Sequence, residues 1–186
     1  MEADFSVELG SDDERLEVPW AAPDGSCRYS DLKTFPELIT GLEEAQREPE
    51  LAKFLSRVNA VDGILQSAKC DVWSTDEISP EEEIFGLHIK FGCYVDIYFS
   101  DERRFSFPAH EEFAKKITQL LKKTPEIPAS AEFLMRRCHF HEAAGEQDGF
   151  YITSYIFGFG NDEQSAHQQW QIGLQLVENA LRQCAS

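Results

Sequence analysis

The stretch Ile84–Phe107, IFGLHIKFGCYVDIYFSDERRFSF, constrains the fold more than any other part of the chain. It is the densest run of β-branched and aromatic residues in the sequence, a composition that suits strands. Two alternating segments, Phe85–Phe91 and Tyr94–Ser100, flank Gly92-Cys93, and a third, Arg104–Phe107, follows the turn-like Ser100–Arg103. Strand formers bounded by Gly and Asp predict an antiparallel meander that nucleates a sheet.

The flanking chain supplies further strands and helices. Phe5, Val7 and Leu9 alternate with polar residues, and Leu16–Trp20 follows the charged turn Gly10–Glu14, which predicts an opening β-hairpin. Ala21–Ser30, with Pro23-Asp24-Gly25, has the chemistry of a surface loop. A helix opening near Thr34-Phe35-Pro36 puts Leu38, Ile39, Leu42 and Ala45 on one face. Pro49 breaks it, and Leu51, Phe54, Leu55 and Val58 resume at helical spacing; Glu43, Glu44, Glu48 and Glu50 read as a solvated face. Ala68–Trp73 is a predicted strand, and Thr75–Glu83 an exposed acidic loop without the spacing of a calcium-binding hand.

Pro108–Lys123 reads as a helix with Phe113, Ile117, Leu120 and Leu121 on one side, and its lysines near the C-terminus suit the macrodipole. Two strands, Glu132–His141 and Phe150–Phe159, are joined by the glycine- and acid-rich Glu142–Gly149. Asn161 and Gln164 form a capping-box pattern, after which Ala166, Trp170, Gly173, Leu174, Val177, Leu181 and Cys184 recur in steps of three or four. This order predicts an α+β fold for residues 1–186 as a single domain: a mainly antiparallel sheet with about four helices packed mostly on one face.

Charge narrows the function classes. Lys and Arg total 17 against 34 Asp and Glu, a net −17. Residues 1–83 hold 7 of the basic and 21 of the acidic side chains, so they alone carry −14. Such a field repels phosphate backbones and anionic membranes, which argues against direct nucleic-acid or membrane binding and favours a basic protein partner. No segment approaches the ~18 apolar residues of a membrane span, and the acidic N-terminus lacks the marks of a signal peptide. The five cysteines are widely spaced with no CxxC pair, which fits buried thiols in a reducing cytoplasm. The expected location is therefore cytoplasmic, as a monomer or homodimer, and no cofactor is implied.

Nucleotide-binding and hydrolase signatures are missing: there is no G-x-S-x-G, Walker A loop, G-x-G-x-x-G or H-E-x-x-H. The candidate site is the last pair of strands. If their loop closes symmetrically, His141 faces Tyr151, His139 faces Thr153 and Arg137 faces Tyr155. Arg137, His139, His141, Tyr151, Thr153 and Tyr155 then share one face, a surface for an anionic ligand. His139 and His141, with His88 from the meander, are the only candidate metal ligands, with Glu142 a candidate to orient His141. Three readings follow. The leading one is a non-catalytic binding or inhibitor-like module that engages a basic partner through acidic residues of Phe5–Glu17 and Thr75–Glu83. The others are a small hydrolase or transferase built on Arg137, His139, His141 and Tyr151, and a homo-oligomeric structural subunit.

Overall fold

A computed structural model describes residues 1–10, 15–80, 82–142 and 145–185, with the side chains of residues 83, 84 and 142 outside that set. The strands are β1 (Glu2–Val7), β2 (Leu16–Val18), β3 (Leu65–Thr75), β4 (Ile89–Phe99), β5 (Ala129–Glu142) and β6 (Gly145–Gly160). The helices are α1 (Glu43–Arg47), α2 (Pro49–Val58), α3 (Phe107–Leu121) and α4 (Glu163–Ala185), with 3₁₀ turns at Pro36–Gly41, Glu82–Phe85 and Glu102–Phe105. The strands form one sheet in the order β1-β5-β6-β4-β3, with β2 also beside β5. The fold is α+β, as the element order predicts.

The sheet is mixed, because β1 and β2 do not pair with each other. Both run parallel to β5, one after the other along it: Glu2–Val7 against Ser130–Met135, then Leu16–Val18 against Cys138–Phe140. The predicted opening hairpin is thereby corrected, and of its charged turn Gly10–Glu14 all but Gly10 lies outside the described residues. The meander is corrected too. Ile89–Phe99 is one continuous strand through Gly92-Cys93. Gly92 is there for space: a Cβ would lie 2.3 Å from the Phe157 ring on the neighbouring strand. The segment Arg104–Phe107 is not a strand. Asp101 accepts from the Arg103 N–H at 3.0 Å and Ser106 accepts from the Ala109 N–H at 3.3 Å. These local caps wind the chain into a 3₁₀ turn and then into α3.

The helices cover one face of the sheet. Phe133, Met135, Ile152, Ile156, Cys93 and Val95 point into the main core, which α2 completes with Leu51, Phe54 and Leu55, α3 with Ile117 and Leu121, and α4 with Trp170, Leu174 and Val177. Pro49 opens α2 after the short α1, so the predicted break is there. Glu48 is not solvated as expected; it is paired at 2.7 Å with His167 of α4. The capping box of α4 sits one residue later than predicted, with Asp162 accepting from the Ser165 N–H at 2.7 Å and the Ser165 hydroxyl accepting from the Asp162 N–H at 3.2 Å.

Close approach of α4 to the sheet depends on Gly158, where a Cβ would stand 2.0 Å from the Trp170 backbone nitrogen. Trp170 is fully buried and donates its indole N–H to Cys93 Sγ at 3.3 Å. The edge strand β3 is protected. It carries a bulge between Ser67 and Cys70, and its carbonyls at Leu65, Ala68 and Val72 accept from Lys33 Nζ, Trp20 Nε1 and Arg47 Nη2. Strand addition there has to displace those donors.

Gly158→Ala forces α4 away from β6 and costs about 3 kcal/mol, read as a lowered midpoint in chemical denaturation. His110 of α3 is 1% exposed, with its Nδ1–H donating to the Ser106 carbonyl at 2.9 Å. Burial pushes its pKa below the ordinary 6.5, against the opposing pull of the Ser106 and Phe150 carbonyls. The unfolded chain therefore takes up a proton that the folded one refuses. Stability is full above pH 6.5 and falls below it until His110 protonates within the fold. Stability should therefore fall between pH 7.5 and pH 5.5, read by chemical denaturation at the two values, and His110→Gln should flatten that part of the profile.

Candidate functional site

The six predicted site residues do not share a face. β5 and β6 pair along their whole length, with Glu142 opposite Gly145, His141 opposite Glu146, His139 opposite Asp148 and Arg137 opposite Phe150. The pairing continues through Gly145–Gly149, which the symmetric-loop expectation left as a connection. The resulting register differs from the expected one by an odd number of residues, and a period of two then inverts one strand against the other. Arg137, His139 and His141 lie on the helix-bearing side of the sheet, at the far end of the hairpin. Tyr151, Thr153 and Tyr155 lie on the opposite side, beside Arg136, Leu134 and Glu132.

Arg137 and His141 are exposed and His139 is half-buried. The imidazoles are held by surface carboxylates. His139 Nδ1 meets Asp148 at 2.7 Å while its Nε2 accepts from Arg15 at 3.1 Å, and His141 pairs through Nε2 with Glu17 and through Nδ1 with Glu146 at 3.5 Å. The Glu142 side chain proposed to orient His141 lies outside the described residues. His88 is exposed just before β4, at the opposite end of the sheet, where its backbone N–H donates to the Gly160 carbonyl at 3.2 Å. Among the described residues no three His, Cys, Asp or Glu side chains converge as a metal-ligand set.

The helix-free face is a better candidate. Its upper end is covered by the N-terminal segment: Leu16, Val18, Trp20 and Tyr29 pack with Phe105 over Tyr98, Cys138, Phe140 and Tyr151. Its lower end is covered by Phe85, which stacks on Phe159 with centroids 4.5 Å apart. Between these covers the sheet is open. One cross-strand row there reads Asp4, Glu132, Tyr155, Tyr94, Asp71 from β1 to β3. The row below holds Phe157, with Trp73 packed against both it and Tyr94. The row above holds Leu134, Thr153 and Asp96.

Asp96 is only 5% exposed and accepts from the Thr153 hydroxyl at 2.7 Å. The two form the floor of a recess of about 220 Å³, walled by Tyr94, Tyr151 and Tyr155 and flanked by Lys69 and Arg136. Both cations have partners: Arg136 is held by Glu8 at 2.9 Å, and Lys69 Nζ lies 5.0 Å from the Trp20 ring centroid. Burial first, then the carboxylates of Asp96 and Asp71, pushes the Tyr94 phenol above the ordinary 10, so it remains a neutral ring with a hydroxyl donor.

The lining offers phenols, a carboxylate, a hydroxyl and two cations, groups able to hold a ligand by hydrogen bonds and charge. No histidine, cysteine or serine lines the recess, and the hydroxyl of Thr153 is given to Asp96. Burial pushes the thiols of Cys70 and Cys93 up to about 12 and also raises Cys138 and Cys184, so none of these four is a thiolate at neutral pH. Sequence reasoning reached Tyr151, Thr153 and Tyr155 but missed Trp73, Tyr94, Asp96 and Arg136. The available signal was Asp96 between Tyr94 and Tyr98 at alternate positions of a strand, a polar stripe where a buried strand would be apolar on both sides.

The chain matches no protein-family model, no curated protein and no solved structure. Its function rests on the chemistry of its own residues. Thr153→Val removes a hydroxyl donor from a buried carboxylate and should cost about 1.5–3 kcal/mol in denaturation, whereas His141→Ala, at an exposed position, should change stability by under about 0.5 kcal/mol.

Proposed function

We propose that the protein is a non-catalytic cytoplasmic binding protein that takes a basic protein partner on the open face of its sheet. The row Asp4–Glu132–Tyr155–Tyr94–Asp71 carries the reading: two half-buried phenol rings flanked on both sides by carboxylates. Described acidic residues stand at both edges of that face: Asp4 on β1 with Glu8 just after it at one edge, and Asp71 on β3 with Asp76 and Glu77 just after it at the other. With strands about 4.8 Å apart, the two edges stand roughly 19 Å from each other, the width of a small docking surface. A partner that meets both has to cross the aromatic centre.

Several of the acids have internal duties, which sharpens the choice of residues to test. Glu8 is paired with Arg136, Glu17 with His141 and Glu82 with Lys90. Asp71 stands 3.9 Å from Arg47 with both side chains half exposed, and Glu132 is exposed on its row. Ser11–Glu14, Glu81 and the side chain of Glu83 lie outside the described residues. A net charge of −17 steers a cationic partner and repels polyanions, which supports a protein over a nucleic acid.

The hydrolase or transferase alternative needs Arg137, His139, His141 and Tyr151 together, and Tyr151 stands on the other side of the sheet from the first three. Among the described residues no helix is long and apolar enough to cross a membrane. Association with purified basic proteins, followed by surface-bound kinetics, tests the proposal. The on-rate should fall about tenfold or more between low and physiological salt, and Asp71→Asn with Glu132→Gln should reduce it at low salt. Binding that ignores salt, or no binding to any basic protein at low salt, counts against it.

A further inference from the structure

The centre of the open face is a closed set of four rings. Trp73 lies 6.3 Å from Tyr94, Tyr94 6.1 Å from Tyr155, Tyr155 6.2 Å from Phe157, and Phe157 6.0 Å from Trp73. They meet above Gly92, whose missing side chain gives the Phe157 ring its place. All four are half-buried, so part of each ring faces solvent. Rings packed at this spacing leave no cage between them; what they offer is a surface of π-faces.

We infer that this platform is an anchor for a guanidinium group, so that the basic partner engages it through an arginine. The inference rests on the proposed function and narrows the partner to the side chain that makes the central contact.

The first support is a cation the chain already keeps there. Lys90 Nζ lies 4.9 Å from the centroid of Phe157, and the Glu82 carboxylate holds it at 2.8 Å. A cation on a ring face with a carboxylate beside it is thus a contact this surface already makes. The second support is the arrangement around the tyrosines. Asp71 neighbours Tyr94 on β3 and Glu132 neighbours Tyr155 on β5, so a cation over the ring pair lies about one strand spacing, ~5 Å, from each carboxylate row position.

Arginine fits this geometry better than lysine. A guanidinium stacks flat on an aromatic ring and directs its N–H groups outward in its own plane, toward carboxylates on either side. An ammonium is compact and more strongly hydrated, and it has no plane to match to a ring. The other guanidinium–ring contacts in the fold, Arg103 over Phe99 and Arg104 over Phe105 and Phe140, show that this chain uses the same pairing internally.

The test is an NMR titration of the isotope-labelled protein at low salt with capped Gly-Arg-Gly-Arg-Gly peptide and its lysine and citrulline counterparts. Citrulline keeps the shape of arginine and removes its charge. The arginine peptide should bind roughly tenfold tighter than the citrulline one and several-fold tighter than the lysine one, with the largest shifts at Trp73, Tyr94 and Tyr155. Tyr155→Leu, which keeps an apolar side chain but removes the π-face, should lower arginine-peptide affinity about tenfold and lysine-peptide affinity by less. Circular dichroism and the thermal midpoint of that variant report whether the fold survives; Glu132→Gln, at an exposed position, gives an independent reading.

Equal affinities for arginine and lysine peptides that are indifferent to both variants overturn the anchor, while salt-dependent binding of basic proteins still stands. Shifts confined to residues away from the platform overturn it as well. If neither peptides nor basic proteins bind at low salt, the proposed function falls and the anchor with it.

Discussion

The seating of α4 on the sheet is the contact on which the rest of the structure depends. Trp170 brings its backbone against Gly158, where no side chain larger than hydrogen fits, and its indole reaches down to Cys93 on the next strand. Phe91 packs against the same ring at 4.9 Å. With the helix this close, α2, α3 and α4 bury the central part of one side of β5, β6 and β4, and the side-chain alternation of those strands is decided. Tyr94, Asp96, Tyr151, Thr153 and Tyr155 are then on the other side, away from every α-helix.

That second side is neither a core nor an ordinary solvated surface. Its ends are closed by the N-terminal segment and by Phe85, each covering a small apolar group of its own. The middle keeps a carboxylate at 5% exposure, which is costly to remove from water and is offset in part by the Thr153 hydroxyl. That face, on a chain with a net charge of −17, is where the proposed cationic partner would dock.

The misread elements fail for identifiable reasons. Gly92 in a run of strand formers looks like punctuation, yet here it makes room for the Phe157 ring across the sheet, and β4 passes straight through. Gly145–Gly149 looks like a connection because it is rich in glycine and acid, yet it pairs residue by residue with β5. Gly149 lies where a Cβ would be 2.5 Å from the Phe140 ring, so its small size reflects packing and not a turn. Because pairing runs on to Glu142–Gly145, the register differs by an odd number from that of a hairpin closed at Phe150, and the histidines and tyrosines lie on opposite sides. Phe5–Leu9 and Leu16–Trp20 look like a hairpin because they are adjacent in sequence. Their shared partner is instead β5, more than a hundred residues away.

Local chemistry in the sequence was enough for the α+β class, for the break at Pro49 and for the buried stripe of α4 at Ala166, Trp170, Gly173, Leu174, Val177 and Leu181. These features depend on helical spacing, proline geometry and amphipathicity, all of which act within a few residues. Tertiary structure alone decided the parallel pairing of β1 and β2, the β5–β6 register and therefore which polar residues meet. Pairing is a contest between alternative long-range partners, and its outcome is set by helix seating, ring packing and glycine clearances that no short window of residues contains. The aromatic and acidic face between the two edges belongs to that second category: its row is drawn from β1, β5, β6, β4 and β3, and it exists only once those strands lie side by side.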